Sequence, residues 1–186
     1  MTDSGIEQIG SADAVIGLVP ASRDAQTVGS AIGRIVEFAP TLKIVLVHPP
    51  YSPNGMDPLR LGPAWHLIEH PQLAPDPSSL TQGLGESFRA IFDITQKLGA
   101  RGCAIVASDL SNVTAEWIAL LLEPAVEKSF DLVTPCYATH RFDGMINRAI
   151  IYPLVRALYG RQIRNPLGPD FGISSQLLQR IAGAPR

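Results

Sequence analysis

Cys103-Ala104-Ile105-Val106-Ala107-Ser108-Asp109-Leu110 is the stretch that decides the fold class. Five consecutive small or branched apolar residues, without polar alternation, are the pattern of a strand buried on both faces, as in a parallel sheet. The run turns polar at Ser108-Asp109, at the carboxyl end where open parallel sheets gather ligands. Earlier in the chain, Ala14–Val19 is a similar run stopped by Pro20, and Leu42–Val47 is another. Between these two, Ala25, Val28, Ile32, Ile35 and Val36 recur at three- and four-residue steps behind Ser22 or Asp24 as a cap, which predicts a helix. Strand, helix and strand within the first 47 residues make a βαβ unit and predict a mostly parallel α/β sheet flanked by helices.

The later chain continues in the same vein. Phe88, Ile91, Phe92, Thr95 and Leu98 mark one face of a helix ending near Gly99 or Gly102. Thr114 caps a helix carrying Trp117, Ile118, Leu121, Leu122 and Val126, with Pro124 inside it. Leu132–Pro135 reads as a fourth strand, Met145–Tyr159 as an apolar helix interrupted at Pro153, residues 161–171 as a loop, and Ser174–Ile181 as a final helix. The prolines crowding residues 48–81 preclude a long regular element there. That segment reads as an ordered surface excursion walling a cleft, with a short helix at Trp65–His70. Residues 1–12 read as a loose terminus and 13–186 as one domain, without internal repeats or a linker.

Composition narrows the function classes. A chain of 186 residues suits one well-buried domain. Its 46% hydrophobic content, beside only 17% charged residues, leaves apolar surface for a partner, a ligand or a further part of the protein to cover. Fifteen Lys and Arg against 17 Asp and Glu give a net charge of −2, without the basic footprint of a nucleic-acid binder. Cys103 and Cys136 lie in apolar stretches without metal or redox spacing, and read as buried free thiols in a reducing compartment. No secretory leader and no transmembrane run is visible, so a cytoplasmic domain is expected. Met145–Tyr159 reads first as a core helix. Its apolar residues, among them Ile146, Ile150, Leu154 and Leu158, cover more than one narrow face, which leaves a homodimer contact as the other reading.

Four segments fall at carboxyl ends of predicted strands: Pro20–Asp24, His48–Tyr51, Ser108–Asp109 and Pro135–His140. Asp109 is either a turn or cap residue or a hard-metal ligand bridging Mg²⁺ or Mn²⁺ to phosphate oxygens, and Ser108 either assists it or forms the turn. Gly83-Leu84-Gly85 stands where backbone amides approach an anion, or where a helix simply begins; it completes neither a dinucleotide fingerprint nor a P-loop. Tyr137, His140, Arg141 and Asp143 form a polar cluster in which Arg141 suits a phosphate or carboxylate. His140 is a candidate metal ligand against the commoner role of a surface or capping histidine, and His48, His66 and His70 show no zinc spacing with it. Asp170, in Pro166-Leu167-Gly168-Pro169-Asp170-Phe171-Gly172, reads as a carboxylate that binds a sugar hydroxyl or orients an acceptor, or as an Asx-type turn with Phe171 packed into the core. No nucleophile-elbow pattern is present.

In combination and order these pieces resemble bacterial nucleotide-sugar-dependent glycosyltransferases of the GT-A fold, near the mannosylglycerate and glucosyl-3-phosphoglycerate synthases and the family-2 transferases. Val15-Ile16-Gly17-Leu18-Val19-Pro20-Ala21-Ser22-Arg23-Asp24-Ala25 looks like the family's first strand and nucleotide-binding loop, and Gly83-Leu84-Gly85 like its G-K-G turn. Ala107-Ser108-Asp109-Leu110 looks like the strand ending in D-x-D-L. Asp131 to Tyr137, His140 to Gly144, Tyr152 to Gly160 and Pro166 to Gly172 match a later block in order and spacing. The resemblance spans roughly residues 13 to 180.

The resemblance implies that Pro20, Ala21, Ser22 and Asp24 hold the base and ribose, with Gly83, Gly85, Ser108 and Tyr137 completing the donor site. It places Asp109 on a divalent cation at the diphosphate, and Arg141 and Asp170 against the donor sugar or acceptor. It further implies transfer from a UDP- or GDP-linked sugar to a hydroxyl of a small molecule or glycan. The synthases imply retention of configuration, whereas inversion is usual in much of family 2. Relatives continue past this length, so the domain is expected to lack their C-terminal elements. Four positions depart from the pattern. Ala107 replaces the first acid of D-x-D, Leu84 replaces a lysine, His48-Pro49-Pro50 stands where a base-binding Asp is usual, and Pro169 stands near a common Gly. These departures give a second reading, a catalytically impaired GT-A-like binding or assembly domain, and Leu84 argues against a third, nucleotidyl transfer.

Overall fold

The computed structural model describes residues 6–7, 9–19, 25–37, 42–48, 65–69, 82–106, 113–128, 130–137, 144–164 and 168–182. Its strands are β1 (Ala14–Leu18), β2 (Ile44–His48), β3 (Trp65–Glu69), β4 (Gly102–Val106), β5 (Leu132–Val133) and β6 (Phe171–Ser174). Its helices are α1 (Ala25–Val36), α2 (Gln82–Lys97), α3 (Ala115–Glu127), α4 (Tyr152–Tyr159) and α5 (Ser175–Ala182), and a π-helical stretch, Asn147–Ile151, leads into α4.

The sheet runs in the order β3-β2-β1-β4-β6-β5. β3, β2, β1 and β4 are mutually parallel, while β6 pairs antiparallel with both β4 and β5. Every residue of β1, β2 and β4 is buried, which is why these three strands read as unbroken apolar runs. The pleat divides them between two cores. Ile16 and Leu18, Ile44 and Leu46, and Ala104 and Val106 meet α1 and α3 on one face. Val15 and Val19, Val45 and Val47, and Cys103 and Ile105 meet α2 and α5 on the other.

Two glycines set how closely helices approach. A Cβ on Gly17 would lie 2.5 Å from Cδ1 and 2.7 Å from Cγ2 of Ile91, so α2 sits tight on the central strand. A Cβ on Gly172 would overlap the backbone carbonyl of Leu121, so α3 lies almost directly on β6.

The structure corrects several expectations. The sequence allows a short helix at Trp65–His70. The chain there is instead the edge strand β3, laddered to β2 from Ile44 opposite Trp65 to His48 opposite Glu69. Residues 171–174, read as loop and helix start, form β6. There Phe171 packs edge-on to Phe88 with ring centroids 5.9 Å apart, as the core alternative for that residue required. The fourth strand shrinks to two residues at the sheet edge. Gly83 and Gly85 fall inside the first turn of α2 rather than in a turn before it. The apolar helix read first as core contains no buried residue in either its π-helical stretch or α4. Within the stretch 1–12, read as loose, Ile6 and Ala12 are buried and Lys43 Nζ donates to Ile9 O at 2.7 Å.

The cysteines also part company, since Cys103 is buried and Cys136 is exposed, both as free thiols. Burial pushes the Cys103 thiol up to about 12, partly offset by a hydrogen bond with the Thr95 side chain. The thiolate is the reactive form. A colorimetric thiol reagent at pH 8 is therefore expected to titrate one thiol rapidly in the native protein, Cys136, and the second only after denaturant is added. Rapid reaction of both in native buffer would contradict the burial of Cys103.

Candidate functional site

The parallel strands deliver their carboxyl ends to one edge of the sheet. Leu18 of β1 lies opposite Val106 of β4, and Val19 N–H extends the pairing by donating to Val106 O at 2.8 Å. From β1 the chain passes to β2 and β3 on one side, and β4 flanks it on the other. The ends of β1 and β4 therefore form the topological switch point, the place at which open α/β sheets generally bind ligands. The segments following these strands in sequence are those carrying Pro20–Asp24 and Ser108–Asp109.

Of the residues read as functional, Pro20, Ala21, Ser22, Asp24, Ser108, Asp109, His140 and Arg141 lie outside the described residues. Gly83 and Gly85 are in the first turn of α2. Tyr137 and Asp170, thirty-three positions apart in sequence, are brought into direct contact.

The contact follows from the antiparallel strand. Because β6 runs against β4, it begins at the edge where β4 ends, with Phe171 opposite Ile105. Asp170 immediately precedes it and is fully buried. β5 pairs with the same strand, Val133 opposite Gly172, and the following residues carry Tyr137 alongside Asp170. The Tyr137 hydroxyl donates to Asp170 Oδ2 at 2.7 Å. That is the length of a charge-assisted bond. Burial first, and then the hydrogen bond to Asp170 and its negative charge, raise the Tyr137 phenol above its ordinary range. The pair ties the segment after β5 to the start of β6 and holds the phenol neutral.

Trp117 completes the cluster, its ring centroid 5.5 Å from that of Tyr137 at an interplanar angle of 33°. It stands in the first turn of α3, where its backbone N–H donates to Oγ1 of the N-cap Thr114 at 3.2 Å. Sequence reading assigned Trp117 to the buried helix face and missed this role. The available signal was position, since a first-turn aromatic directly after a strand-end loop is placed at the carboxyl edge. His48, buried at the end of β2, lies on the same edge. Among the described residues no group of three or more His, Cys, Asp or Glu is placed to hold a metal.

No family model and no curated relative matches the sequence. Solved structures do match the fold. Glucosyl-3-phosphoglycerate synthase from Mycobacterium tuberculosis, in complex with Mg²⁺ and uridine diphosphate, aligns with a TM-score of 0.55 at 16% identity, covering 92% of this chain and 60% of that one. The same enzyme in complex with Mn²⁺, uridine diphosphate and phosphoglyceric acid aligns with a TM-score of 0.52 at 15% identity, covering 92% and 60%. A further structure, described as that of a mycobacterial protein, aligns at 0.52 and 17%, covering 95% and 58%. The chain thus spans about 60% of the length of the structures it resembles. Its architecture, a six-stranded, mostly parallel sheet flanked by helices, is that of the GT-A nucleotide-diphospho-sugar transferases.

Proposed function

We propose that this domain binds a nucleotide-diphospho-sugar and serves in transfer of its sugar to a hydroxyl acceptor. The observation that carries the reading is the switch point. β1 and β4 end side by side, and each is followed by a segment that resembles the donor-binding motifs of the fold to which the structural neighbours belong. In this reading Pro20, Ala21, Ser22 and Asp24 hold the base and ribose. Gly83 and Gly85 at the start of α2, with Ser108, border the diphosphate. Asp109 is the principal ligand of Mg²⁺ or Mn²⁺, with His140 as a second. When bound, the cation would neutralise charge growing on the diphosphate leaving group.

Arg141 faces the reacting sugar or acceptor. Asp170 acts through Tyr137, since its carboxylate is buried and accepts the phenol's hydrogen bond. The neutral phenol keeps an oxygen lone pair to receive a ligand hydroxyl, and Trp117 offers an aromatic face beside it. Since a neighbour was solved with uridine diphosphate and phosphoglyceric acid, UDP-sugars and small anionic acceptors are the first ligands to test. Among the described residues no helix is long and apolar enough to cross a membrane. We place the protein with its donors in the cytoplasm.

Ala107 and Leu84 favour a second reading, donor binding without turnover, because each removes a polar contact from the same site. Calorimetric titration with UDP, GDP and their sugar conjugates, with and without Mn²⁺, separates the possibilities. Cation-dependent binding is expected, weakened at least tenfold in Asp109→Ala. Binding accompanied by sugar release onto an acceptor supports transfer, and binding without release supports the second reading. Absence of nucleotide binding with and without the cation would overturn both.

A further inference from the structure

The segment Met145–Tyr159 is an arm, and it carries an uncovered apolar stripe. Ile146, Ile150, Leu154 and Leu158 recur every four residues, so they share a face, and they are 66, 58, 49 and 65% exposed. Met145 and Tyr159 are exposed at its two ends. An isolated helix of about 15 residues is marginal in water. A stripe of this kind is therefore stabilised by whatever covers it.

The same chain carries an uncovered apolar groove of about 580 Å³ on the opposite side of β5 and β6 from α3, lined by Phe92, Leu132, Phe171, Ile173, Leu177 and Ile181. Leu132 and Ile181 are 43 and 53% exposed. Charge selects between the ways two copies might meet. Residues 144–169 hold Arg148, Arg156, Arg161 and Arg164 and none of the chain's 17 acidic residues. Arm against arm brings like charges together without a carboxylate between them. Arm against body brings the arm to the part of the chain that holds all 17 acids beside 11 Lys and Arg, a net negative surface that includes Asp93 beside Phe92 and Asp131 beside Leu132, the latter 3.8 Å from Arg180 of its own chain.

We propose that two copies of this chain associate by exchange of arms, the stripe Ile146–Leu158 of each seated in the groove between β5, β6, α2 and α5 of the other. The contact is a helix in an apolar groove, made twice about a two-fold axis. It is independent of the glycosyl-transfer reading.

Light scattering coupled to size exclusion tests it. The native chain is expected at twice its 20.0 kDa mass. Leu154→Asp on the arm and Ile181→Asp in the groove are each expected to give monomers that keep the fold of the sheet and lose at most the arm's share of the far-ultraviolet helical signal, since both side chains are exposed in the single chain. Mixing the two monomeric variants is expected to restore a two-chain species, because the groove variant's intact arm meets the arm variant's intact groove. A monomeric native chain overturns the proposal. So does a groove variant that stays dimeric, which is the result arm-to-arm pairing predicts, or a mixture of two monomeric variants that stays monomeric. A native chain that stays monomeric but is retained by anionic vesicles assigns the stripe to a lipid surface and overturns it equally.

Discussion

Gly172→Ala is expected to lower the melting temperature by about 6–12 °C. A methyl group at this position overlaps the main-chain carbonyl of Leu121 and comes within 3.3 Å of Val133 Cβ. A side chain in the way can change rotamer, but a helix backbone moves only as a body. Relief therefore requires α3 to lift from the sheet, and α3 buries Ile118, Leu121, Leu122, Ala125 and Val126. Overpacking costs about 1–3 kcal/mol and occasionally more, and a main-chain obstacle belongs at the upper end. At about 2–4 °C per kcal/mol for a chain of this size, about 3 kcal/mol gives the stated shift.

Gly17→Ala is the internal control. Its new methyl group also finds atoms at 2.5 to 3.0 Å, but they are the side-chain ends of Ile91 and Ile105. Their rotamers can yield, so a loss of about 1–2 kcal/mol is expected. Calorimetry on both variants checks the argument. If Gly172→Ala melts no lower than Gly17→Ala, the close approach of α3 to β6 is wrong.

The same glycine shows why β6 was illegible in the sequence. Phe171-Gly172-Ile173-Ser174 lies beside prolines and glycines and reads as the end of a turn. What makes it a strand is a helix fifty residues earlier lying against the position where a side chain would stand. β1, β2 and β4 were legible because burial on both faces writes itself into consecutive apolar residues. β3 was not, because a half-exposed edge strand keeps His66 and Glu69, and its identity comes from the ladder with β2. The arm misled in a different way. Apolar composition says that a surface is to be covered, not that the cover belongs to the same fold, and the helix read as core is exposed.

At the site, the sequence places Tyr137 after the fourth strand and Asp170 in a late turn, and does not pair them. Their contact depends on β5 and β6 flanking one another antiparallel, a tertiary fact. Trp117 entered the cluster by the same route.

Tyr137→Phe tests that contact with one atom. The ring, and its packing on Trp117, is retained while the donor to Asp170 is removed. Hydrogen bonds to charged groups contribute about 1.5–3 kcal/mol. A destabilisation in that range is expected at pH 7 by urea unfolding, against a smaller one for Asp170→Asn, which still accepts the phenol's proton.

The dependence on pH gives a sharper signature. The folded state holds the Tyr137 phenol above its ordinary value, about 10 in an unfolded chain. Above pH 10 the unfolded chain therefore binds fewer protons at this residue than the native one, and stability falls as pH rises. The contribution is fully present below about pH 10 and is lost as pH rises toward the folded value. Burial of Cys103 acts in the same direction, but it acts equally in both proteins and cancels from their difference. The stability gap between the native protein and Tyr137→Phe is thus expected to be constant from pH 7 to 9 and to narrow between pH 10 and 11. A gap that stays level to pH 11 would mean that the phenol ionises alike in both states, and that its bond to Asp170 does not hold the site together.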